Sequence, residues 1–332
     1  MSAASRPDKA TVAAVGAGRM GRGIALIFAY AGHPVRLIDL KPRPAAAAAK
    51  LLDEALEEIR ADLGFLVSLS VLSAAQAETV LGWIETHDAA GAAAAMTTSE
   101  VLFEAVPEVL EAKQAALAQI SAAAAPTAII ASTTSTMLVD TLAGFVTGPG
   151  RFLNSHFLNP AYLIPLVEVS PGTDTTEATV AAMLALLEAA GKKPVRCAAT
   201  PGFIVPRIQA LAMNEAARMV EEGVASAEDI DRAIRYGFGV RFAVLGLVEF
   251  IDWGGGDILY YASQYLRQAL DSERYAAPDV VDRNMAEGRL GLRSGQGFYD
   301  FRQRDTEAYR RERLSEFVAL LRHLELLPGP AD

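Results

Sequence analysis

The chain has 332 residues, of which 52% are hydrophobic and 21% are charged, a composition typical of a globular protein rather than a disordered one. Its 30 Lys and Arg against 40 Asp and Glu give a net charge of −10, which argues against a nucleic-acid partner because such proteins hold phosphates on a basic surface. The one cysteine, Cys197, excludes an intrachain disulfide and a cysteine zinc site, and no segment predicts a secretory signal or a membrane span. We therefore expect a cytoplasmic enzyme or binding protein with no metal, no nucleic-acid partner and no membrane partner.

The first part of the chain alternates short apolar runs, which predict buried strands, with longer segments of helical periodicity. In chain order the pattern predicts strands at 11–15, 35–39, 101–105, 128–132, 152–156 and 166–169, and helical segments at 24–31, 44–86 and 110–124. Strands that alternate with helices are typical of an α/β protein, so we predict a Rossmann-type, doubly wound parallel sheet.

The second part of the chain offers few strand signals and is predicted to be all-helical. Gly and Pro separate predicted helices at 204–222, 227–236, 244–251, 257–270 and 306–326. Because chains longer than about 250–300 residues usually form more than one core, we predict an α/β domain over 1–198 and a helical domain over 199–332.

A glycine motif follows the first predicted strand and opens the first predicted helix. Gly16-Ala-Gly-Arg-Met-Gly21 matches G-x-G-x-x-G, in which the glycines permit a tight turn, close approach of a pyrophosphate and close helix–strand packing. Asp39 ends the second strand, where a carboxylate binds the adenosine ribose hydroxyls and repels a 2′-phosphate. This favours NAD over NADP, although Lys41 and Arg43 weaken the preference. The alternative is a glycine turn that binds no ligand.

Two further groups of polar residues follow predicted strands. The hydroxyl run Ser132-Thr-Thr-Ser-Thr136 lies where α/β sheets bind ligands, but it could equally cap a helix. His156 ends the fifth strand, and Glu168 lies 12 residues later on the next one, so the two side chains could meet. An imidazole accepts a hydroxyl proton near neutral pH, and a carboxylate on its other nitrogen fixes the tautomer. On spacing alone, a histidine with no catalytic role is equally compatible.

Taken together, these motifs resemble the L-3-hydroxyacyl-CoA dehydrogenase family, which includes 3-hydroxybutyryl-CoA dehydrogenases and a lambda-crystallin branch that acts on L-gulonate. The resemblance covers roughly residues 10–300 and rests on seven motifs in family order: Gly16 to Gly21, Glu104-Ala-Val-Pro-Glu108, Ser132-Thr-Thr-Ser-Thr136, His156-Phe-Leu-Asn-Pro160, Leu166-Val-Glu-Val169, Thr200-Pro-Gly-Phe-Ile204 and Ser294-Gly-Gln-Gly-Phe-Tyr299.

The resemblance implies reversible, NAD-dependent oxidation of a short (S)-3-hydroxyacyl-CoA to the 3-ketoacyl-CoA, in a protein that forms a homodimer through its helical domain. By matching position, His156 would be the general base, Glu168 its partner, and Ser135 a hydrogen-bond donor to the reacting oxygen of the substrate. The remaining implied residues are Gly16, Gly18, Met20, Gly21, Asp39, Glu108 and Lys113 for the cofactor, and Asn159 beside the substrate.

Two departures from the family pattern bear on the substrate. Family members usually carry a substrate-binding Asn at the position of Pro206, and proline has neither a side-chain donor nor a backbone N–H. The segment around Arg241 resembles the lambda-crystallin branch, as does Asn159-Pro-Ala-Tyr-Leu-Ile-Pro165. Arg241 could bind a free carboxylate, or it could equally be a surface arginine that caps the end of a helix. A dehydrogenase of a free 3-hydroxy acid, similar to L-gulonate 3-dehydrogenase, is therefore the second hypothesis. A non-enzymatic NAD-binding structural protein is the third.

Overall fold

The structure is a computed structural model that describes residues 9–327 and residue 329. The chain divides into two compact units, the first ending at Ala212 and the second beginning at Met213. The domain bounds 1–198 and 199–332 stay a prediction, since a compact unit and a domain need not end at the same residue.

The first unit is built on one eight-stranded sheet in the order β3-β2-β1-β4-β5-β6-β7-β8. β1, β4 and β5 are apolar and almost wholly buried, as expected of strands that are covered on both faces. The strands are β1 Val12–Val15, β2 Val35–Ile38, β3 Ile84–His87, β4 Val101–Glu104, β5 Ile129–Ser132, β6 Phe152–Phe157, β7 Leu166–Pro171 and β8 Lys193–Arg196.

Helices cover both faces of this sheet and bury two apolar clusters against it. They are α1 Arg19–Tyr30, α2 Ala45–Ser68, α3 Ala74–Leu81, α4 Ala92–Thr97, α5 Leu110–Ala123, α6 Val139–Ala143 and α7 Glu177–Ala189. The predicted α/β class with a doubly wound sheet is therefore confirmed.

One strand pair departs from the predicted parallel arrangement. β7 runs antiparallel to β6, with His156 opposite Glu168, while the other pairs are parallel. The connection is residues 158–165 only, which is shorter than the dozen or so residues that a parallel crossover requires. The chain therefore turns back beside β6, and this reversal brings the two residues together.

Two edge strands were not predicted. The segment 44–86 was expected to be helical throughout. It contains two helices, α2 and α3, the second of which ends at Leu81, and the strand β3 follows. Ile84-Glu-Thr-His87 has no apolar run, so it is a strand only because it pairs with the buried β2. β8 is equally polar and contains Pro194, which an edge strand tolerates.

The second unit is helical, as predicted. Its helices are α8 Val205–Glu221, which begins in the first unit, α9 Ala227–Ala233, α10 Val240–Val244, α11 Leu247–Gly254, α12 Gly256–Ala269, α13 Asp279–Ala286 and α14 Thr306–His323. A π-helical segment, Ile234–Gly239, joins α9 to α10. No helix within the described residues is long and apolar enough to cross a membrane.

A buried carboxylate organises the second unit. Asp252 of α11 is 2% exposed and accepts backbone N–H bonds from Phe298 at 3.0 Å and Tyr299 at 2.7 Å. A Cβ on Gly297 would lie 2.1 Å from its Oδ1, so only glycine fits there. Asp252 thereby anchors the motif Ser294-Gly-Gln-Gly-Phe-Tyr299 to helix α11.

Candidate active site

The glycine motif forms the turn between β1 and α1. Gly16 has φ +121°, and a Cβ on it would lie 2.5 Å from the carbonyl oxygen of Ala105. A Cβ on Gly21 would lie 1.8 Å from the carbonyl oxygen of Gly16, so close packing excludes any side chain at either position. Gly18 differs, because no atom lies within 4 Å of its Cβ position and it is the N-cap of α1. The open space at this helix N-terminus suits a pyrophosphate.

Asp39 lies beside this turn. The N–H of Gly16 donates to the carbonyl oxygen of Ile38 at 2.7 Å, which places the residue after β2 next to the glycine motif. The Asp39 carboxylate accepts Nε of Arg43 at 2.7 Å and the N–H of Lys41 at 3.3 Å. The carboxylate keeps free lone pairs that could accept hydrogen bonds from the ribose hydroxyls. This geometry fits the role predicted for Asp39.

His156 and Glu168 form a buried pair on the antiparallel strands. Nδ1 of His156 lies 2.7 Å from Oε2 of Glu168, and the two residues are 4% and 0% exposed. Within the described part of the chain, Nε2 has no hydrogen-bond partner, so it is the nitrogen available to a substrate. The predicted meeting of the two side chains is present in the structure.

The other oxygen of Glu168 is also occupied. Oε1 accepts the backbone N–H groups of Ile204 at 2.9 Å and Val205 at 2.7 Å, which lie at the start of α8. These donors compensate a carboxylate that is removed from water. Phe203, which precedes them, stacks on the His156 ring with centroids 5.2 Å apart and an interplanar angle of 21°.

A second buried network lies at the carboxyl ends of β4 and β5. Nζ of Lys113 lies 3.0 and 3.1 Å from the two oxygens of Glu104, which also accepts the hydroxyl of Ser132 at 2.5 Å. Lys113 and Glu104 are at most 1% exposed. The sequence had indicated Lys113 but not its partner Glu104, although an acid that ends an apolar strand is a signal for a buried ion pair.

Glu108 holds the hydroxyl run in place. Its Oε1 accepts the hydroxyls of Thr134 and Thr136 and the N–H groups of Ser135 and Thr136, and its Oε2 lies 3.2 Å from Nζ of Lys113. Burial alone would raise the pKa of Glu108, but the hydrogen bond from Thr134 and the charge of Lys113 outweigh burial, so the pKa lies below its usual value. The expected contact of Glu108 with the cofactor stays a prediction.

The residues expected at the substrate belong to different elements of the chain. Ser135 and Asn159 are exposed on loops that follow β5 and β6, and no described hydrogen bond joins either of them to His156. Arg241 lies in the second unit, exposed, with its guanidinium 5.4 Å from the ring centre of Phe250. Their roles therefore stay predictions.

The residues present fit a nicotinamide dinucleotide. Gly18 offers room for a pyrophosphate, Asp39 offers acceptors for a ribose, and Met20 lies in the first turn of α1. Among the described residues no group of three or more His, Cys, Asp or Glu could hold a metal ion. A dinucleotide-binding sheet that carries a buried His–Glu pair is the arrangement expected of a dehydrogenase, and the role of the histidine in proton transfer stays a prediction.

Comparison with known proteins gives the family. The family model described as the NAD-binding domain of 3-hydroxyacyl-CoA dehydrogenase matches residues 11–200, and the model of its C-terminal domain matches residues 202–301. The chain belongs to the 3-hydroxyacyl-CoA dehydrogenase family. This confirms the family predicted from the motifs, and with it NAD as the cofactor and an oxidoreductase that acts on a CH–OH group.

Three relatives illustrate the range of the family. The chain is 36% identical to 3-hydroxyadipyl-CoA dehydrogenase of Escherichia coli over 88% of its own length but only 59% of that protein. It is 30% identical to 5-formyl-3-hydroxy-2-methylpyridine 4-carboxylate 5-dehydrogenase of Mesorhizobium japonicum, over 95% of this chain and 98% of the other. The solved 3-hydroxyacyl-CoA dehydrogenase of Archaeoglobus fulgidus has a TM-score of 0.76 and 31% identity, over 96% of this chain and 100% of that one.

Proposed function

We propose that this protein oxidises a short (S)-3-hydroxyacyl-CoA to the 3-ketoacyl-CoA with NAD, reversibly. The observation that carries the proposal is the 2.7 Å contact between His156 and Glu168, in a chain whose first unit matches the NAD-binding domain of this family. The substrate class is supported by relatives named for 3-hydroxyacyl-CoA and 3-hydroxybutyryl-CoA.

In this mechanism His156 handles the proton. When NAD is bound, its nicotinamide supplies the acceptor for the hydride that leaves C3. Nε2 of His156 removes the proton of the 3-hydroxyl, so that the carbon loses a hydride and the oxygen loses a proton. Glu168 binds the Nδ1–H, which keeps Nε2 unprotonated as a base and then stabilises the imidazolium. In reverse, the imidazolium protonates the oxygen of the ketone.

Ser135 would contribute a hydrogen bond to the same oxygen. Its backbone N–H is bound to Glu108 at 3.0 Å, and its neighbours Thr134 and Thr136 are bound to the same carboxylate, so the loop is held while the Ser135 hydroxyl stays exposed. Such a fixed donor stabilises charge on the reacting oxygen without reorganisation. Asn159 would line the same site from the loop after β6.

The test is NADH oxidation with acetoacetyl-CoA. We expect turnover by the wild-type protein and a loss of about 10²–10⁴-fold in kcat for His156→Ala, the usual contribution of a positioned acid–base group. His323→Ala, on helix α14 of the second unit, is the matched control and should retain activity. Turnover retained by His156→Ala would contradict the role of His156 as the base.

A second candidate substrate is a free hydroxy acid. Pro206 replaces the amide side chain that binds substrate in the family, and Arg241 is an exposed guanidinium with no carboxylate partner among the described residues. The relative from Mesorhizobium japonicum is named for a pyridine carboxylate and matches this chain almost end to end. A free carboxylate would then be held by Arg241 through a bidentate ion pair.

Paired substrates distinguish the two candidates. 3-Hydroxybutyryl-CoA and free 3-hydroxybutyrate, together with larger hydroxy acids such as L-gulonate, are compared at saturating NAD. A preference for the thioester supports the first candidate. A preference for a free acid whose KM rises in Arg241→Ala, but not in Arg235→Ala, supports the second. An NAD-bound protein with no turnover on any of these substrates would favour the structural-protein hypothesis.

We also propose a cytoplasmic homodimer formed through the helical unit. Helix α8 buries none of its side chains, although it carries a strong apolar face, and Met213 is 69% exposed. Ile258, Tyr261 and Tyr265 of α12 are at least 60% exposed as well. Most of the stability of a helix in a protein comes from packing of its apolar face, and a second copy of the chain would supply that packing.

The mass in solution tests the dimer. Wild-type protein should elute at twice the chain mass in size exclusion with light scattering, and Tyr265→Glu should shift it toward the monomer. Glu222→Gln, an exposed change of charge near the end of α8, is the control. A wild-type monomer at micromolar concentration would contradict the proposal.

A further inference from the structure

We propose that Phe203 is a positioning residue that holds the imidazole of His156 in the orientation its chemistry requires. The inference rests on the proposed function, because it gives Phe203 a task only if His156 is the base. Phe203 belongs to the motif Thr200-Pro-Gly-Phe-Ile204, to which the sequence assigned no role.

The contact supplies a restraint that Glu168 cannot. The hydrogen bond at Nδ1 restrains one atom of the His156 ring, but a single hydrogen bond tolerates a range of angles and leaves the tilt of the ring loosely restrained. Phe203 lies nearly parallel to the ring, at 21° and 5.2 Å between centroids, and blocks rotation on that side. Both residues are at most 6% exposed, so the stack is closed to water. Phe203 thus fixes the direction in which Nε2 points.

The backbone of Phe203 sets it apart from the other strained residues. Its φ is +44°, a left-handed conformation that large side chains rarely adopt. The other such residues among those described, glycine excepted, are Ser70, Asp271 and Glu325, all polar and each two residues beyond the end of a helix. That is the usual place for a left-handed residue.

Phe203 instead lies two residues before a helix, with its aromatic ring buried on His156. Strain that persists at such a position is typical of sites where the conformation serves a function. A glycine or asparagine would relieve the strain but would remove the ring. The combination of an unfavourable φ and a buried aromatic therefore points to the contact itself.

The next two residues complete the arrangement. The N–H groups of Ile204 and Val205 bind Oε1 of Glu168, so three consecutive residues engage both members of the catalytic pair. Pro206 follows at the second position of α8, where the missing N–H would have no acceptor within the helix. One turn of chain thus orients the imidazole and compensates the carboxylate.

The kinetic experiment compares Phe203→Leu with Phe203→Tyr. Leucine keeps an apolar side chain of similar size but removes the flat ring, and tyrosine restores it. We expect kcat to fall about 10- to 100-fold in Phe203→Leu, as for other small misplacements of a reacting group, while KM and the Kd for NADH change little. Phe203→Tyr should recover most of kcat. Equal kcat in Phe203→Leu and wild type, with only a lower Tm, would reduce Phe203 to a packing residue.

A spectroscopic readout separates this inference from the proposed function, because it needs no substrate. The chain has four histidines, so labelled histidine gives four resolvable ring signals, and His156→Gln assigns the one of interest. A stacked aromatic shifts that signal by its ring current. Phe203→Leu should change the chemical shifts of the His156 ring protons more than those of the other three histidines. If these chemical shifts do not change, the positioning role of Phe203 is wrong. A wild-type protein that shows the expected shift but no turnover would contradict only the proposed dehydrogenase function.

Discussion

The imidazole of His156 and the carboxylate of Glu168 meet across the antiparallel pair of β6 and β7, with Nδ1 and Oε2 2.7 Å apart. The register places the two residues directly opposite each other, so neither loop geometry nor a flexible side chain is needed to join them. A pair built on two strands is held more rigidly than one built on loops, which suits the role of proton acceptor proposed for His156.

Loss of the carboxylate should therefore reduce catalysis more than it reduces binding. We expect Glu168→Gln to lower kcat by about 10²–10⁴-fold, because the amide neither holds the Nδ1–H tautomer nor stabilises the imidazolium. The Kd for NADH, measured by its fluorescence, should stay close to the wild-type value. A kcat within the error of wild type would show that Glu168 is dispensable.

Cys197 offers an independent measure of the charge on Glu168. Burial, and then the negative charge of Glu168, raises the pKa of the Cys197 thiol. A raised pKa leaves less thiolate at any given pH, so alkylation of this thiol should be slower than that of a free cysteine between pH 7 and 9 and should keep rising above that range.

Glu168→Gln removes the charge and should lower the pKa of Cys197, which shifts the alkylation profile toward lower pH. The chain has one cysteine, so iodoacetamide labelling followed by mass spectrometry needs no background correction. Glu188→Gln, a charge change at an exposed position of α7, is the control. An identical profile in both variants would contradict an effect of the Glu168 charge on this thiol.

The glycine motif provides a matched pair of variants. A Cβ at Gly18→Ala meets no atom within 4 Å, so the Tm should not change, but the methyl group would occupy the space predicted to hold the pyrophosphate and NADH binding should weaken. Gly21→Ala places a Cβ 1.8 Å from the carbonyl oxygen of Gly16, so it should lower the Tm or prevent folding. Equal stability losses in both variants would contradict this division of roles.

The sequence alone was sufficient to predict those elements that are determined by their own local residue pattern. Buried strands such as Val12–Val15 and the glycine turn were predicted because apolar runs and G-x-G-x-x-G have a meaning that does not depend on distant residues. β3 and β8 were missed for the opposite reason, since Ile84–His87 and Lys193–Arg196 are polar edge strands that exist only through pairing with a neighbour.

The same division applies to the candidate site. Chemistry-bearing side chains such as His156 and Glu168 can be found from residue type and family position. The parts contributed by the backbone cannot, because the N–H groups of Ile204 and Val205 leave no trace in the residue letters. Phe203 was visible as part of a motif, but its positive φ and its stack on His156 appear only in three dimensions.

Asp39 should determine the choice between NAD and NADP. Its carboxylate accepts Nε of Arg43 at 2.7 Å, so removal of the carboxylate would free the Arg43 guanidinium for a 2′-phosphate. We expect Asp39→Ser to reduce the ratio of kcat/KM for NAD over NADP by about 10- to 100-fold, the effect of one hydrogen bond to a charged group. Arg43→Ala is the control and should keep the preference for NAD. A ratio unchanged in Asp39→Ser would assign specificity to other residues.

The buried ion pair of Lys113 and Glu104 should be the most sensitive point of the first unit. Lys113→Met would leave the Glu104 carboxylate 0% exposed with no cation, and breaking such a pair typically lowers the free energy of unfolding by about 3–5 kcal/mol. The double variant Glu104→Gln, Lys113→Met removes the uncompensated charge and should regain part of that loss.

The two tryptophans allow the unfolding of each unit to be followed separately. Trp83 lies in the first unit and Trp253 in the second, so Trp253→Phe leaves fluorescence from the first unit alone during urea unfolding. In that background the midpoint should fall markedly in Lys113→Met and recover partly in the double variant. Lys192→Met tests the specificity of the effect, because among the residues that the structure describes this buried lysine binds the carbonyl oxygens of Ala161 and Ile164 and no carboxylate. If the single and double variants unfold at the same urea concentration, the loss at Lys113 comes from packing and not from an unpaired charge.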